Sequence, residues 1–450
     1  IQNAYYTYNG PQAQVTGTGL PAQVRDLTVD NAAGLTLSQP AAVAQVLRLS
    51  QGHLTTAGQL LTLRSSAQGT ALVDNTGGAV LGRAMVERYV DPSRYAGAGY
   101  RHFSAPVGTA TVGSLRTAGF VPVVNAAYNT SATPGLVTPF PTVYGYEQSR
   151  LPTSPALSFS SFDRGWVSPA DTSAALLVGQ GYTVHLPAGG LTVRFRGPLN
   201  NGPISRPLDR AADPALTSAG FHLVGNPYPS PLDWRLVSRP AGLDDALYVF
   251  ESEGPYAGQY RAYVNGMGTS PLVGSGQAFM VRVNTPGAAP TLSFTNAARV
   301  RTFGTEPALR RGPATTDPRP VLLLALAPAT GTGSTDTTTV YFEAGATAAF
   351  DARFDADKLP RSGAVAALAT EAGTRALSIN GLPLLGAQAV VLPVQVQVPA
   401  PGAYAFTAAR LANFAPGTTV YLRDAQTGTR QLLAPGTRYV ATLPATTAPG

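Results

Sequence analysis

Residues 225–234, GNPYPSPLDW, lie in a pattern that occurs twice in the middle of this chain. In the first copy, YRHFSAPV (100–107) is followed by VYGYE (143–147) and LVGQG (177–181). In the second copy, FHLVGNP (221–227) is followed by LYVFE (247–251) and LVGSG (272–276). Short segments of this kind, ended by glycine or proline turns, predict strands, so the pattern indicates two copies of one β-unit. Such units are scaffolding more often than catalytic machinery.

The composition indicates several β-domains. At 450 residues the chain exceeds what one hydrophobic core serves. Glycine (48) and proline (39) are abundant, yet below the level of a disordered or collagen-like chain, and 44% hydrophobic residues suffice for cores. Short runs of Thr, Val, Leu and Tyr favour strands, so we expect an all-β fold.

Cysteine content and charge exclude several classes of protein. The chain has no cysteine, which rules out disulfides and thiolate metal sites. Its net charge of +7 rests on 30 arginines and the single lysine Lys358. No run interleaves basic residues with aromatics, so we interpret the arginines as scattered and expect no nucleic-acid partner. The chain contains no stretch of about twenty apolar residues, so we expect no membrane-spanning helix.

Residues 1–87 carry a loose repeat of strand, glycine turn and second strand. The three copies are VRDLTV (24–29) with GLTL (34–37), VLRL (46–49) with GHLT (52–55), and LLTL (60–63) with GTAL (69–72). Alternate residues of such a strand can fill a narrow core while glycine permits the corner. The repeat predicts a β-solenoid-like unit, with an antiparallel meander as the alternative.

The segment Tyr5-Tyr6-Thr7-Tyr8 reads as a lone aromatic strand ahead of the first copy. It has no evident local partner, so we expect it to pair with a neighbouring element or another molecule. Tyr5, Tyr6 and Tyr8 are therefore predicted interaction residues.

The whole chain divides into four expected segments. They are a β-solenoid-like or meander unit (1–87), a duplicated β-sandwich region (88–305), a proline-bearing linker (306–320) and a C-terminal β-sandwich (321–450). After the last strand candidate, 438–443, the chain stops where a hairpin partner is expected. That domain is therefore predicted to have an open edge.

The stretch from Phe221 to Val283, with GNPYPS at 225–230, resembles the large secreted proteins of Bacteroidetes exported by the type IX secretion system. Weaker cues are GYRHFSAP (99–106), FDARFDADKL (350–359) and LSINGL (377–382). Such proteins are surface-attached and end in a sorting domain, which this chain lacks; it also begins at Ile1 without a start methionine. The resemblance implies a trimmed extracellular chain in a family of adhesins, filament components and carriers of enzymatic domains.

The histidines do not predict a metal or catalytic site. His53, His102, His185 and His222 lack metal-ligand spacing. His102 and His222 occupy what we take as equivalent places in the two copies, which favours a structural role for both.

The carboxylates are also weak signals. Asp351, Asp355 and Asp357 are spaced loosely like a calcium loop but lack the glycine and distal glutamate of an EF-hand, so a solvated turn is favoured and calcium stays open. Glu147 and Glu251, at matching positions, invite a glycosidase pair, yet the repeat explains the match more simply. We predict no catalytic, cofactor or metal residues.

Aromatic residues crowd one stretch of the second copy, namely Tyr228, Trp234, Tyr248, Phe250, Tyr256, Tyr260 and Tyr263. We expect most of them in the core. Tyr256, Tyr260 and Tyr263 lie among glycines and polar residues and are predicted to be exposed interaction residues.

These observations predict a non-enzymatic extracellular structural or adhesion protein. Strand donation between subunits would assemble it head to tail into a filament or layer on the cell surface, with itself or other surface components as partner. The alternative is a carbohydrate-binding region of a secreted polysaccharide-processing protein, with glycans as partners. An enzyme is disfavoured because no acid, base and nucleophile converge.

Overall fold

The computed structural model describes residues 4–93, 95–304, 317–331, 333–360 and 365–446. Strands make up 42% of the chain and helices 5%, and no described helix reaches seven residues, so the predicted all-β fold is confirmed. No helix within these ranges is long and apolar enough to cross a membrane. The chain forms two compact units, the first of Ile1–Leu243 with Ser270–Arg310 and the second of Asp244–Thr269 with Arg311–Gly450. The expected linker falls largely outside the described residues.

The first unit begins with two layers of short strands. They are β1 (Tyr5–Tyr8), β2 (Gln14–Val15), β3 (Gln23–Asp30), β4 (Leu35–Thr36), β5 (Ala41–Gln51), β6 (Leu54–Thr55), β7 (Leu61–Leu63), β8 (Ser65–Ser66), β9 (Gly69–Thr70), β10 (Leu72–Asn75), β11 (Val80–Leu81) and β12 (Ala84–Val90). One sheet runs β1-β3-β5-β7-β12 and the other β2-β4-β6-β11, with parallel neighbours in both.

Parallel stacking brings equivalent residues of successive turns into line. Tyr6 of β1 lies beside Leu27 of β3, which lies beside Leu47 of β5 and then Val73 of β10. The three aliphatic side chains are buried in one core, and Tyr6 packs against it. The β-solenoid-like prediction is confirmed, because an antiparallel meander cannot give this register.

Two details of the predicted repeat are wrong. The segment Tyr5–Tyr8 pairs with a neighbouring element, as expected, but it is not a lone strand, since β1 and β2 together form the first turn of the ladder, paired with β3 and β4. The second strand of the third copy is β11, which pairs with β6, and not residues 69–72. That stretch instead closes the β8–β9 hairpin and enters β10, which pairs with β5.

Gly52 explains why a glycine is needed at one corner. Its φ of +72° lies in the left-handed region, and a Cβ atom there would stand 1.9 Å from the carbonyl oxygen of Asn31 in the turn below. Only glycine permits both the backbone conformation and this close approach between successive turns.

The duplicated region continues with shorter sheets. Its strands are β13 (Gly99–Phe103), β14 (Val143–Tyr146), β15 (Trp166–Val167), β16 (Tyr182–Leu186), β17 (Leu191–Gly197), β18 (Ile204–Pro207), β19 (Phe221–Gly225), β20 (Leu232–Asp233), β21 (Leu247–Ser252), β22 (Gly258–Val264), β23 (Met267–Gly268), β24 (Leu272–Val273), β25 (Ala278–Arg282) and β26 (Thr291–Phe294). Single 3-10 turns lie at Val112–Leu115, Ala126–Asn129, Pro134–Leu136, Gln148–Arg150, Asp163–Gly165, Trp234–Leu236 and Asn296–Ala298.

The two copies pair their strands in the same way. In the first copy β12 pairs with β17 and β13 with β16, and in the second β18 pairs with β26 and β19 with β25, all antiparallel. Reciprocal hydrogen bonds join them: the Ser104 N–H donates to the Gly276 oxygen, and the Gly225 N–H donates to the Gly179 oxygen, both at 3.0 Å.

The reciprocal bonds also correct one predicted equivalence. Since Ser104 corresponds to Gly225, the residue that corresponds to His222 is Arg101, and His102 corresponds to Leu223. The two histidines are therefore not equivalent, and their similar sequence positions do not indicate a shared role.

The second unit contains an antiparallel-rich sheet in the order β32-β30-β31-β28-β27-β33-β36, with β29 beside β31. Its strands are β27 (Val321–Pro328), β28 (Asp336–Phe342), β29 (Ala356–Asp357), β30 (Ala367–Ala372), β31 (Arg375–Leu382), β32 (Val394–Gln397), β33 (Gly402–Ala412), β34 (Tyr421–Arg423), β35 (Arg430–Leu432) and β36 (Arg438–Leu443). Strands β34 and β35 form a hairpin around Gln426–Gly428.

The hairpin of β21 and β22 is an integral part of this second unit. The N–H of Asp357 donates to the Tyr248 hydroxyl at 2.9 Å, and Arg319 Nη2 donates to the Asn265 oxygen at 2.7 Å. Tyr248 is buried as a result. A stretch of sequence inside the second copy thus belongs, by its contacts, with the strands after residue 316.

Candidate interaction surfaces

Strand β1 is the outermost strand of its sheet and has β3 as its one neighbour among the described residues. Tyr5 is 64% exposed, whereas Tyr6 and Tyr8 pack against the core. The carbonyl oxygen of Ala4 accepts from the N–H of Arg25 at 3.2 Å, so the backbone groups of residue 4 face β3. Because backbone groups alternate sides along a strand, those of Tyr5 and Thr7 face away from β3.

Strand β36 is the corresponding outer strand of the second unit, with β33 as its one neighbour in the described chain. The oxygen of Thr437 accepts from the N–H of Ala408 in β33, at 2.9 Å. By the same alternation the backbone groups of Arg438, Val440 and Thr442 face outward. The predicted open edge of the last domain therefore lies along β36.

Of the three tyrosines predicted to be exposed in the second copy, one is. Tyr256 is 60% exposed, in the loop between β21 and β22. Tyr260 and Tyr263 are buried, at 8% and 7% exposure, so their predicted exposure is wrong. Both lie within β22, where their rings pack in the unit while Tyr256 lies in a turn. The polar residues Gln259 and Arg261, which suggested exposure, lie within the same strand.

The turn at residues 225–230 lies in the interior. The side chain of Asn226 has no exposed surface, and its Nδ2 donates to the oxygens of Ser230, Val273 and Gly274 at 2.8 to 3.1 Å. Its Oδ1 accepts from the N–H of Tyr228 at 3.0 Å. Asn226 therefore joins the turn to the oxygens of β24 and of the residue after it, and the most distinctive motif of the sequence specifies the fold.

Ser230 extends this turn to the parallel ladder. Its hydroxyl donates to the oxygen of Val73 in β10 at 2.7 Å and accepts from the N–H of the same residue at 3.1 Å. Arg299 Nη2 donates to both the Ser230 hydroxyl and the Val73 oxygen at 2.8 Å, with its guanidinium 5.1 Å from the ring centre of Tyr228. Burial lowers the pKa of Arg299 to about 10, so it remains charged at neutral pH.

The carboxylates that suggested calcium are each bound within the fold. Asp355 accepts from the N–H groups of Asp351 and Gly381 at 2.6 Å, and Asp357 forms a two-pronged ion pair with Arg375. Asp351 accepts from the N–H of Thr347 at 2.6 Å. Among the described residues no group of three or more His, Cys, Asp or Glu side chains could hold a metal ion.

Burial determines the chemistry of two histidines. It lowers the pKa of His102 to about 3 and also lowers the pKa of His222, whose ring lies 2.6 Å from the oxygen of Asp209. Both rings are therefore neutral at physiological pH. Neutral rings within strands fit the structural role expected for them.

The suggested glycosidase pair is divided between the two units. Glu147 is exposed in the first unit, and Glu251 belongs to the second, where it pairs with Arg261 at 3.1 Å.

One surface was not predicted from the sequence. Arg25, Arg48 and Arg64 occupy outward positions in three successive turns of the ladder, and Arg194 of β17 and Arg301 lie on the same face. We call these five residues the arginine face. The signal was present in the repeat, because each copy carries one arginine beside its buried aliphatic residues, but a charge count alone cannot show that they gather on one side.

A family model described as a domain of unknown function (DUF8693) matches residues 3–439. The chain belongs to this family. The match spans the ladder, both copies of the duplicated region and most of the second unit, so the family is defined by the whole arrangement. No curated protein and no solved structure matches the chain.

Proposed function

We propose that this chain is a non-enzymatic structural or adhesion protein of the cell exterior, which assembles head to tail through its sheet edges. The observation that carries the proposal is that each unit has an outer strand, β1 in the first and β36 in the second, with a neighbour on one side only among the described residues. An outer strand presents a row of backbone donors and acceptors that a further strand can satisfy.

Two different edges on one chain favour open polymers. If β1 of one copy pairs with β36 of the next, the contact joins unlike surfaces and leaves one free edge at each end of the product. A contact between like edges would stop at a dimer. Backbone pairing supplies the affinity, and the outward side chains Tyr5 and Val440, 64% and 43% exposed, supply apolar contact at the rim.

The proposed location rests on the resemblance to type IX secreted surface proteins of Bacteroidetes, and the β-rich, cysteine-free chain suits it. Large hydrogen-bonded β-domains need no disulfides for stability in an oxidising environment. The described side chains bring together no acid, base and nucleophile, and the buried motif that carries the resemblance serves the fold. These features support a scaffold in preference to a hydrolase.

Because β1 pairs with β3, deleting the N-terminal strand is not a clean test of strand donation. Deleting residues 1–9 would uncover the edge of β3 and create a new open edge in place of the old one. A substitution that removes one outward N–H and keeps the inward pairing is sharper, and proline at Thr7 does this. Its matched control is Thr7→Val, which keeps the N–H and the strand preference.

Electron microscopy and sedimentation of the full chain at neutral pH test the proposal. We expect filaments or sheets with a repeat of one subunit for the unaltered protein and for Thr7→Val, and dispersed monomers for Thr7→Pro. Monomers for the unaltered protein at millimolar concentration would refute assembly through these edges, as would polymers of Thr7→Pro.

Glycan binding is the second candidate function. The exposed ring of Tyr256 favours it, but the burial of Tyr260 and Tyr263 leaves that surface with one of its three predicted contacts. A single ring gives a weak stacking site. A loss of glycan binding on Tyr256→Ala, with no change in assembly, would favour glycan binding as the function.

A further inference from the structure

The outward face of the β1-β3-β5-β7-β12-β17 sheet carries the arginine face in two rows. In the first row, Arg25 of β3, Arg64 directly after β7 and Arg194 of β17 lie on every second strand. In the second row, Arg48 of β5 and Arg301 flank Asp74 of β10. Strands in a sheet are about 4.8 Å apart, so the arginines of the first row recur about every 10 Å.

Buried carboxylates hold these arginines in place. Glu87 of β12, at 4% side-chain exposure, pairs with Arg64 at 3.4 Å and Arg194 at 3.1 Å. Asp74, at 10%, pairs with Arg48 at 3.2 Å and Arg301 at 3.8 Å. Each carboxylate thus positions two cations, which lowers the ordering cost that long flexible side chains pay when they bind a ligand.

The charge that reaches solvent on this face is positive. The side chains of the five arginines are 40% to 51% exposed, while the three acidic partners Asp26, Asp74 and Glu87 are at most 11% exposed. Five arginines over three carboxylates leave two positive charges in excess. Arg25, Arg48, Arg194 and Arg301 are held through Nε, which leaves the terminal amino groups of the guanidinium for a second partner.

We propose that the arginine face binds an acidic polysaccharide, with the guanidinium groups pairing with carboxylates or sulfates along the glycan. An extended acidic glycan presents its charged groups on one side once in every two sugar rings, a repeat comparable to the spacing of the first row. Guanidinium forks match carboxylates in shape as well as charge.

Tyr5 adds a sugar-stacking position at one end of the first row. Its ring is 64% exposed and lies 4.8 Å from the guanidinium carbon of Arg25. One exposed aromatic ring beside a row of cations suits a sugar polymer. A single-stranded nucleic acid is bound best by several aromatic rings that stack successive bases, and the described residues of the row contain one.

The arginines of this site lie on the face of the sheet, whereas Tyr5 is shared with the β1 edge that is proposed to assemble. Binding is therefore measured on the monomeric Thr7→Pro chain, with polygalacturonate as the acidic glycan, a neutral glucan of matched length and single-stranded DNA as comparisons. We expect polygalacturonate to bind in 50 mM salt and to weaken at least tenfold in 500 mM salt, since exposed charges are screened. The neutral glucan should not bind.

The double substitution Arg25→Gln with Arg194→Gln should weaken polygalacturonate binding at least tenfold while leaving Arg64 to pair with Glu87. The matched control, Arg116→Gln with Arg423→Gln, removes the same charge from exposed positions elsewhere and should bind within twofold of the parent. Thermal unfolding checks that both variants fold. The double variant Arg25→Lys with Arg194→Lys keeps the charge and removes the planar guanidinium groups, so it should lose an intermediate part of the affinity for polygalacturonate.

Three outcomes would overturn the proposal. Equal losses in the double variant and its control would show that net charge alone attracts the glycan. Equal binding of the neutral glucan, or tighter binding of the DNA, would assign the surface to another partner. Absence of polygalacturonate binding in 50 mM salt would show that the arginine face is a structural ion-pair network.

Discussion

The turn at residues 225–230 and the strand at residues 5–8 differ in a way that separates fold from function in this chain. The turn has the most distinctive sequence, and Asn226 and Ser230 within it are fully buried and hydrogen-bonded. The strand has a plain sequence and presents Tyr5 and one row of backbone groups outward. Distinctive residues here meet the demands of a buried turn, whereas the proposed interaction uses backbone groups that every residue has.

The comparison predicts that stability and assembly respond to different substitutions. Changes in the turn should reduce the free energy of unfolding of the first unit. Changes in the outward backbone of β1 or β36 should abolish assembly at little cost to stability.

Asn226→Ala should have the largest effect, a loss of about 4 kcal/mol in the free energy of unfolding, because it removes the buried hydrogen bonds to the oxygens of Ser230, Val273 and Gly274 and the one from the N–H of Tyr228. Denaturant unfolding followed by the fluorescence of the buried Trp234 measures it. The control Asn9→Ala, at an exposed site, should change stability by less than about 0.5 kcal/mol. A loss for Asn226→Ala no greater than that of the control would contradict the structural role of the turn.

Ser230→Ala should cost about 2 kcal/mol, since it removes the hydroxyl that joins β10 to the turn but leaves Arg299 bonded to the Val73 oxygen. The same unfolding experiment applies. Combined with Asn226→Ala, the two losses should not be additive, because both residues belong to one network. Additive losses would show that the two residues act independently.

Val440→Pro should abolish assembly while lowering the stability of the second unit by no more than about 1 kcal/mol, because the lost N–H faces away from β33. Val440→Thr is the matched control and should assemble normally. Sedimentation measures assembly and hydrogen exchange of the β33 amides measures the integrity of the sheet. Loss of β33 protection in Val440→Pro would mean that the N–H faces inward and that the edge is not free.

The pH dependence of stability in the second unit depends on one buried carboxyl. Burial raises the pKa of Asp355 to about 7, against the lowering by the N–H groups of Asp351 and Gly381. A raised pKa means that the folded unit binds this proton more tightly than the unfolded chain, so the contribution of Asp355 is full below about pH 4 and is lost as the pH rises through 7.

The free energy of unfolding of the second unit can be measured by hydrogen exchange at pH 5, 6, 7 and 8, corrected for intrinsic exchange rates. Deprotonation of Asp355 should lower it by at most about 1.4 kcal/mol for each unit of pH increase. Asp355→Asn should flatten this dependence, although it forfeits one of the two backbone hydrogen bonds. An unchanged slope in the variant would assign the pH dependence to another group.

Sequence reasoning reached the architecture because the ladder and the duplicated copies leave periodic signals. The aliphatic positions 27, 47 and 73 repeat with the turns, and the glycine-bearing turns before β16 and β25 mark equivalent strands. It missed that β1 and β2 form a turn of the ladder, because Gln14–Val15 is too short and polar to show a strand pattern. Parallel pairing is non-local, and a two-residue strand acquires its partner only from the register of its neighbours.

The surfaces were less predictable than the fold. Tyr256, Tyr260 and Tyr263 share one local sequence environment, yet one ring lies in a turn and two lie within a strand, and only the position of β22 decides between them. The arginine face likewise depends on stacking, since Arg64 and Arg194 are far apart in sequence and meet at Glu87. Which strand is outermost is also a property of the sheet and not of the strand.

Mixing two edge-blocked chains tests the central proposal most directly. Thr7→Pro keeps the β36 edge and Val440→Pro keeps the β1 edge, so each alone should remain a monomer in mass photometry. An equimolar mixture should form one-to-one dimers and nothing larger, because the two remaining edges fit each other once. A mixture that stays monomeric, or either variant forming polymers by itself, would contradict assembly of β1 on β36.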